Sequence, residues 1–350
     1  MEFNHIENKK PIYRIKAYLK EHLKKYARLD ELPVTYEDLT QYREIFPLDD
    51  DAGNKTLWHM AMYDQENLEY LSKGLVEVYQ KLVSEGDIIP YLKIDRIDFC
   101  SFGNSKPFRV RVVNEINDNY DYFYVKKADA SRIYGLELEE IFSPDNVNYL
   151  VDKQTLVEEH VVGIPADDFI LKNKKVTIEN RLRLAKEFVK FNERCFVRLL
   201  GDMRAYNFVV EITQDFDNVQ YRLRAMDFDQ QNFEGRKNIY KPQFYSDNID
   251  LVDLVQELMK EDVVKQYQRI ERVAMKKRFF AYRQRTRSLL RQMRRDKIST
   301  DQNIALLSTE LSKYHNDTIF LDYNNMGDIL NRHLEKSLNV DILSKNTATG

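Results

Sequence analysis

Leu199-Leu200-Gly201-Asp202-Met203-Arg204-Ala205-Tyr206-Asn207-Phe208-Val209-Val210-Glu211 is the stretch on which the fold turns. A carboxylate, Asp202, and a carboxamide, Asn207, stand five positions apart in a polar loop. The run Phe208-Val209-Val210 follows at once and reads as a strand. A second strand ends in the same kind of chemistry: Arg224-Ala225-Met226 leads into Asp227-Phe228-Asp229. Hard oxygen ligands and a potential base at strand and loop ends are where a scaffold holds reacting groups. The bland reading is that Asp202, Asn207 and Asp227 are turn formers and caps. What precedes them in the chain decides between the two.

Upstream, IIPYLKIDRIDFCSF (88–102), FRVRVVNEI (108–116) and YDYFYVKK (120–127) are β-branched and aromatic runs separated by turn chemistry. They predict an antiparallel meander. ASRIYGLELEEIF (130–142) predicts a helix, stopped at Ser143-Pro144. NYLVD (148–152) and QTLVEEHVV (154–162) predict two further strands. From Thr177 the pattern is mainly helical: TIENRLRLAKEFVKFNERCFVRLL, then NIDLVDLVQELM, then 261–295. Residues 12–85 also read as helical, from the apolar spacing of IYRIKAYLKEHLKKYARL and ENLEYLSKGLVEVYQKLVSEG. The segment 50–56 reads as an acidic loop. Its Gly-Asn-Lys-Thr lacks the second glycine and the spacing of a phosphate loop.

Taken in order, these segments resemble the protein-kinase-like superfamily. Asp202 and Asn207 have the separation of its catalytic-loop D-x-x-x-x-N, and Asp227-Phe228-Asp229 is similar to its D-F-G with the glycine replaced. Leu200-Gly201 stand in place of the usual His-Arg. Both departures point to the atypical branch, similar to aminoglycoside- and lipopolysaccharide-kinase-like phosphotransferases. The absent Arg also argues against control by an activation-loop phosphate, and no A-P-E motif follows. The fold implied is α+β and two-lobed: a five-stranded small lobe with one helix, a mainly helical large lobe, and extra helical segments at both ends. The implied division is 1–87 for a helical extension, 88–165 for the small lobe, 166–340 for the large lobe with a basic helical part, and 341–350 for a disordered tail.

The resemblance implies roles residue by residue. Asp202 orients, or takes a proton from, an acceptor hydroxyl, and Arg204 steadies the transferred phosphoryl. Asn207 and Asp227 hold Mg²⁺ on ATP. FYVKKAD resembles V-A-I-K. Lys126 and Lys127 point to opposite strand faces, so only one reaches phosphate; Lys126 is preferred and Lys127 is the alternative. Glu137, with Ile141 one turn on, is the helix acid that would hold the lysine. TLVEEHVVGIPADDF resembles the fifth strand and hinge. Glu158 falls at the gatekeeper, and the Glu159 carbonyl and Val161 amide face the adenine edge. CSFGNSKPF occupies the place of the phosphate cover with a single glycine, Gly103, flanked by Asn104 and Ser105. IDLVDLVQELM resembles the helix that anchors the large lobe, with Asp250 at its Asp position.

Charge and cysteine content bound the alternatives. A net charge of -3 gives no global attraction to nucleic acid or membrane. The local exception is 269–297, strongly basic with interleaved aromatics. Its plain reading is a solvated helix. Its functional readings are a site for an anionic acceptor or, less favoured, for nucleic acid through Arg291, Arg294 and Arg295. A catalytically weak nucleotide-binding scaffold is the other alternative to an active kinase. The acceptor is open among small molecule, glycan and protein. Cys100 and Cys195 are the only cysteines, too few for a disulfide framework. With no apolar run in MEFNHIENKKPIY and no long apolar span, the expectation is a cytoplasmic protein. His160 reads as structural, and no His/Cys/Asp cluster has zinc spacing.

Overall fold

The structure is a computed structural model that describes residues 10–50, 53–172, 178–215 and 218–343. The expected disordered tail lies mostly outside these residues, at 344–350, as do two residues of the acidic loop. The chain divides into two compact units. The first comprises residues up to Ala130 together with Val147–His160. The second comprises Ser131–Asn146 and everything from Val161 onward.

The first unit is built on one antiparallel sheet. Its helices are α1 (Ala17–Lys25), α2 (Tyr36–Leu39) and α3 (Gln65–Ser84). Its strands are β1 (Glu44–Asp49), β2 (Lys55–Met62), β3 (Leu92–Cys100), β4 (Phe108–Asn114), β5 (Tyr120–Lys127), β6 (Tyr149–Asp152) and β7 (Thr155–Glu159). The order across the sheet is β1-β2-β3-β4-β5-β7-β6. Alternation sorts each strand into two faces. Phe99, Phe108, Val110, Phe123, Val125 and Val157 face a core closed by Leu71, Leu75, Val78 and Leu82. Those four recur at helical spacing along α3, as the amphipathic pattern of ENLEYLSKGLVEVYQKLV predicts.

The opposite face carries Trp58, Arg109, Tyr122 and Tyr124. The Arg109 guanidinium sits 4.5 Å from the Trp58 ring centre and 5.1 Å from that of Tyr122. Its Nε and Nη2 donate to Asp98 at 3.0 and 2.8 Å. The fully buried Asp98 carboxylate also accepts from Arg96 Nε at 2.7 Å. A buried carboxylate of this kind is tolerable only because it is paired and hydrogen-bonded.

One expectation fails here. Residues 12–85 are not helical throughout, because 44–62 fold as a hairpin that widens the sheet from the five expected strands to seven. β1 pairs with β2, and β2 pairs with β3 through Trp58↔Cys100 and Met60↔Asp98. Phe46, Trp58 and Met60 lie in runs of mixed period, which a helical reading absorbs too easily. Pro47 was the readable contrary signal, since proline inside a strand belongs on an edge. β1 is the edge of the sheet.

The helix α4 (Ala130–Phe142) and the loop after it group with the second unit, except for Ala130. The other elements of that unit are β8 (Ile164–Pro165), α5 (Ala166–Lys172), α6 (Ile178–Arg198), β9 (Phe208–Asp215), β10 (Asn218–Ala225), α7 (Ile249–Leu258), α8 (Glu261–Ala281), α9 (Arg283–Met293), α10 (Asp301–His315) and α11 (Met326–Leu338). The three strands form a second antiparallel sheet, β10-β9-β8. The central helix is α6, buried from Phe191 to its end. Its buried Arg194 answers Glu187 at 2.7 Å and Glu271 at 3.4 Å.

The expected basic helix 269–297 is two helices, broken at Tyr282, whose φ of -104° and ψ of 25° leave the helical region. Several of its cations are paired within the unit. Arg272 Nε pairs with Glu193 at 2.5 Å, Lys276 donates to the Asn339 carbonyl at 2.9 Å, and Arg294 pairs with Asp328.

α6, α10 and α11 meet at a histidine pair. His315 Nε2 and His333 Nδ1 are 2.8 Å apart, and His333 Nε2 lies 3.0 Å from the Phe196 carbonyl. A carbonyl only accepts, so His333 carries its proton on Nε2, and His315 donates to the bare Nδ1. Burial lowers the pKa of His315 to about 4 and that of His333 to about 3. Each is thus neutral in the folded state below its ordinary titration point. The unfolded chain binds the extra protons first, so this contribution is present above pH 6.5 and is lost as pH falls toward 4. The melting temperature should therefore fall between pH 7 and pH 5 more steeply in wild type than in a His315→Gln/His333→Gln variant, as followed by circular dichroism.

Candidate functional site

In the second unit the hairpin register assembles the site. Phe208 pairs with Ala225, so the residue before β9 and the residue after β10 lie side by side. These are Asn207 and Met226, and the Met226 amide donates to the Asn207 carbonyl at 3.1 Å. Asp227 follows directly. Two residues twenty positions apart in sequence become neighbours because an antiparallel pair returns the chain to its starting edge.

The loop from Leu199 to Asn207 is knit to the segment after Asp227. Gly201 N donates to Gln230 O at 3.2 Å, and Asn232 N donates to Leu199 O at 3.0 Å. Gln231 Nε2 donates to the carbonyls of Arg198 and Leu199 at 2.6 and 3.1 Å. Asp202 has φ +57°, in the left-handed region, as do Leu199 and Asn232. For Leu199 this conformation is costly, and such strain persists only where the surroundings over-determine it. Asn207 supplies part of that constraint, since its Nδ2 donates to the Asp202 carbonyl at 2.7 Å. The Asp202 amide donates to the Tyr245 hydroxyl at 2.9 Å, and that hydroxyl donates to the Ile239 carbonyl at 2.8 Å. Burial, then the nearby Asp202 charge, push the Tyr245 phenol well above its ordinary pKa, so it stays a neutral donor. Arg204 reaches back to Asp202 Oδ1 at 3.1 Å and across to Asp247 at 2.9 Å.

Asp250 is not the buried anchor of this loop. α7 begins at Ile249 and sends Asp250 to the surface. Asn248, two residues earlier, is fully buried and donates through Nδ2 to the Met203 and Pro242 carbonyls at 2.9 and 2.7 Å. The two-residue offset follows from where the helix starts, which the sequence pattern fixes only loosely.

Asp227 has a partner that the sequence reading did not name. Arg132, in the first turn of α4, donates from Nη1 to Asp227 Oδ1 at 2.8 Å and to Asp229 Oδ1 at 3.0 Å. Its Nη2 donates to the Met226 carbonyl at 3.2 Å. The Asp229 amide also donates to Asp227 Oδ1, at 3.0 Å. The same helix carries Glu137 and Glu139. Within their unit, Glu137 takes two hydrogen bonds from Arg285, at 2.9 and 2.6 Å, and Glu139 pairs with Arg198. A signal for these pairs exists in ASRIYGLELEEIF. A helix buried on nearly every side, yet carrying one Arg and three Glu, must find counter-charges.

In the first unit, β5 turns Lys126 to the face that also carries Tyr124. Lys126 Nζ pairs there with Glu158 Oε2 at 2.6 Å. Lys126 and Glu158 are both buried, whereas Lys127 is partly exposed and its amide lies 3.4 Å from the Ser105 carbonyl. Gly103, at φ +87°, sits with Asn104 and Ser105 in the loop joining β3 and β4. That loop closes through Cys100 N to Pro107 O at 3.0 Å. The Glu159 carboxylate accepts from the amide and side chain of Asn148 at 2.8 and 3.1 Å. The Tyr124 hydroxyl and His160 Nδ1 are 3.1 Å apart, so His160 has a structural partner. In the second unit Val161 is buried, and Gly163 passes so close to Val209 that a Cβ would lie 2.7 Å from its Cγ2.

No family model matches the chain, and no curated protein matches it. Among solved structures, the Rio2 kinase-ADP/Mg²⁺-phosphoaspartate complex from Chaetomium thermophilum is similar at 11% identity and a TM-score of 0.30. The match covers 61% of this chain and 63% of that one, so the chain spans less than two thirds of that relative's length. At that TM-score the likeness decides nothing about activity. No helix of the described residues is long and apolar enough to cross a membrane.

The pairing of Glu137 is directly testable. Arg285→Ala leaves a buried carboxylate without its bidentate partner and should cost ~3–5 kcal/mol of stability. The double change Glu137→Leu/Arg285→Met should recover most of that loss in urea unfolding.

Proposed function

We propose that this chain is an ATP- and Mg²⁺-dependent phosphotransferase of the protein-kinase-like kind, moving the γ-phosphoryl group of ATP to an acceptor hydroxyl. The observation that carries this reading is the convergence of Asp202, Asn207 and Asp227. They come from two loops, are joined by the β9–β10 register, and are locked by the Asn207 side chain on the Asp202 carbonyl.

The residues fit the metal that the reaction needs. Asn207 spends its Nδ2 on Asp202, which leaves the carboxamide oxygen as its ligand atom. Asp227 has its Oδ1 occupied by two donors, so a metal contact there runs through Oδ2. Two hard oxygens suit Mg²⁺, which keeps waters and substrate phosphates for its remaining positions. Bound Mg²⁺ would neutralise charge on the phosphate oxygens.

The other roles follow from chemistry. Asp202 orients the acceptor hydroxyl and accepts its proton. Arg204, paired with Asp202 and Asp247, is the cation for the transferred group. Lys126, held by Glu158, contacts the α/β-phosphates, with Lys127 as its neighbour on the other strand face. Glu137, held by Arg285, keeps α4 in place. Backbone groups of Glu159 and Val161 take the adenine edge, and the Gly103-Asn104-Ser105 loop covers the phosphates. The acceptor is a hydroxyl compound whose class the site chemistry leaves open.

The test is nucleotide-dependent stabilisation followed by turnover. Millimolar ATP with Mg²⁺ should raise the melting temperature of wild type, since ligand at 100 times Kd stabilises by ~2.7 kcal/mol. Asp227→Ala should lose the Mg²⁺-dependent part of that shift. Asp202→Asn should keep it and lose on the order of 10²–10⁴-fold in transfer rate. A wild type that gains no stability from ATP, with or without Mg²⁺, would sink the reading.

A further inference from the structure

We propose that the outward face of α8 is a self-association surface, on which a second copy of this chain lays its own α8 antiparallel. The contact involves the second unit alone and stands whether or not the chain binds nucleotide.

The two sides of α8 have different tasks. Glu271, Met275 and Phe279 are buried, while Arg272 is tied to Glu193 on α6 and Lys276 to the Asn339 carbonyl just after α11. These contacts fix the helix, so its other side is presented by a rigid backbone. That side carries Val263, Gln266, Ile270, Val273, Lys277 and Phe280, separated by 3, 4, 3, 4 and 3 positions. A repeat averaging about 3.5 residues is the seam of a left-handed helix pair, narrower than the stripe of a helix packed into a globule. All six side chains are exposed. Ile270, Val273 and Phe280 are 45, 53 and 55% exposed. Apolar side chains scattered singly over a surface need no explanation, but four aligned on one seam do. An open groove runs along it, lined by Gln266, Arg269, Ile270, Val273, Ala274 and Lys277. The small Ala274 leaves room there for an incoming side chain, as a hole does for a knob.

The spacing is self-complementary. Read from the other end, 3, 4, 3, 4 and 3 is unchanged. A second copy running the opposite way therefore sets its Phe280 beside Val263, its Lys277 beside Gln266 and its Val273 beside Ile270, each twice by symmetry. A two-fold contact requires this matching of one patch with itself. The largest apolar side chain meets a small one. The Gln266 carboxamide oxygen accepts from the Lys277 ammonium, so the polar layer is paired rather than stranded.

Charge sets the direction. Asp262 borders the seam at its start, and Lys277 lies in it near its end. Antiparallel copies bring the acidic end of one helix to the basic end of the other and oppose the two helix dipoles. Parallel copies would set Asp262 against Asp262 and Lys277 against Lys277, and like charges so placed are unfavourable. Glu261 is engaged by Lys265 one turn on, and Arg269 folds back until its Nε lies 3.4 Å from the Lys265 carbonyl. Neither side chain blocks the seam. An anionic membrane, the other partner that a basic helix suggests, calls for a broad apolar face, which Gln266 and Lys277 interrupt here.

A contact between two single helices is small among specific interfaces, so the dimer should form only at raised concentration. Sedimentation equilibrium of the full chain should give the mass of one chain, 41.9 kDa, at nanomolar concentration, rising toward twice that at tens to hundreds of micromolar. Ile270→Asp/Val273→Asp should hold the mass at one chain throughout, with circular dichroism and melting temperature unchanged, because both side chains are exposed. Direction is read by thiol cross-linking, to which Cys100 and Cys195, both buried, contribute no background. Val263 and Phe280 stand 17 positions and about 25 Å apart along one helix. Val263→Cys/Phe280→Cys should therefore cross-link two copies, and neither single variant should. The proposal is overturned by a chain that stays monomeric at hundreds of micromolar, by self-association that survives Ile270→Asp/Val273→Asp, or by cross-linking of Val263→Cys alone, which marks a parallel pair. It is equally overturned by a chain that binds anionic phospholipid vesicles through this face and remains monomeric in solution.

Discussion

A helix buried on almost every side, yet charged, is the constraint around which the second unit is organised. Arg132, Glu137 and Glu139 on α4 are all within 4% of full burial. Each is answered by a residue distant in sequence: Asp227 and Asp229, Arg285, and Arg198. Apolar side chains in those positions would pack at least as favourably, so the pairs are weak evidence for stability as such. Their value is directional. A leucine stripe tolerates sliding, whereas a bidentate Arg285–Glu137 pair and a guanidinium bridging two aspartates accept one register.

That register reaches the candidate site through one residue. Asp227 belongs to the turn after β10 and is also the acceptor of Arg132, so the position of α4 and the orientation of the Asp227 carboxylate are one variable. The resemblance to kinases led us to expect the helix acid to act on the strand lysine. Within its own unit Glu137 binds Arg285, and within the other unit Lys126 binds Glu158. Within the second unit, Arg132 in the first turn of α4 addresses Asp227 and Asp229. The left-handed backbone of Leu199, Asp202 and Asn232 fits this picture. Strain at three neighbouring positions needs a stiff surround, and the exchange of hydrogen bonds between 199–203 and 230–232 supplies it.

Much of this was legible in the chain before any coordinates. Strand alternation in YDYFYVKK sets Lys126 and Lys127 on opposite faces, because the period of two is a local geometric fact. The helix 130–142 is legible for the same reason, as are the β9 and β10 runs on either side of 216–217. Where two periods compete, the reading failed. The hairpin at 44–62 was absorbed into a helical extension, and the outcome was decided by pairing of β2 with Trp58↔Cys100 across a distance of about forty residues. Asp250 was read at the Asp position of the anchoring helix because the motif gives a residue type but not the point at which α7 starts. The basic run 269–297 read as one helix, and the partners of Arg272, Lys276 and Arg294, which are Glu193, Asn339 and Asp328, lie far away in sequence.

The sequence by itself determined which residues carry oxygen, nitrogen and charge, which segments repeat every two or every 3.6 positions, and the order in which those segments occur. These depend on neighbours in the chain, so the chain records them. Only the tertiary structure decided which charge meets which. The pairing of Arg132 with Asp227 and Asp229, of Glu137 with Arg285, and of Lys126 with Glu158 spans 95, 97, 148 and 32 positions respectively. An ion pair at such separation depends on where two backbones pass. That is set by the packing of whole elements, and no local pattern in either segment contains it.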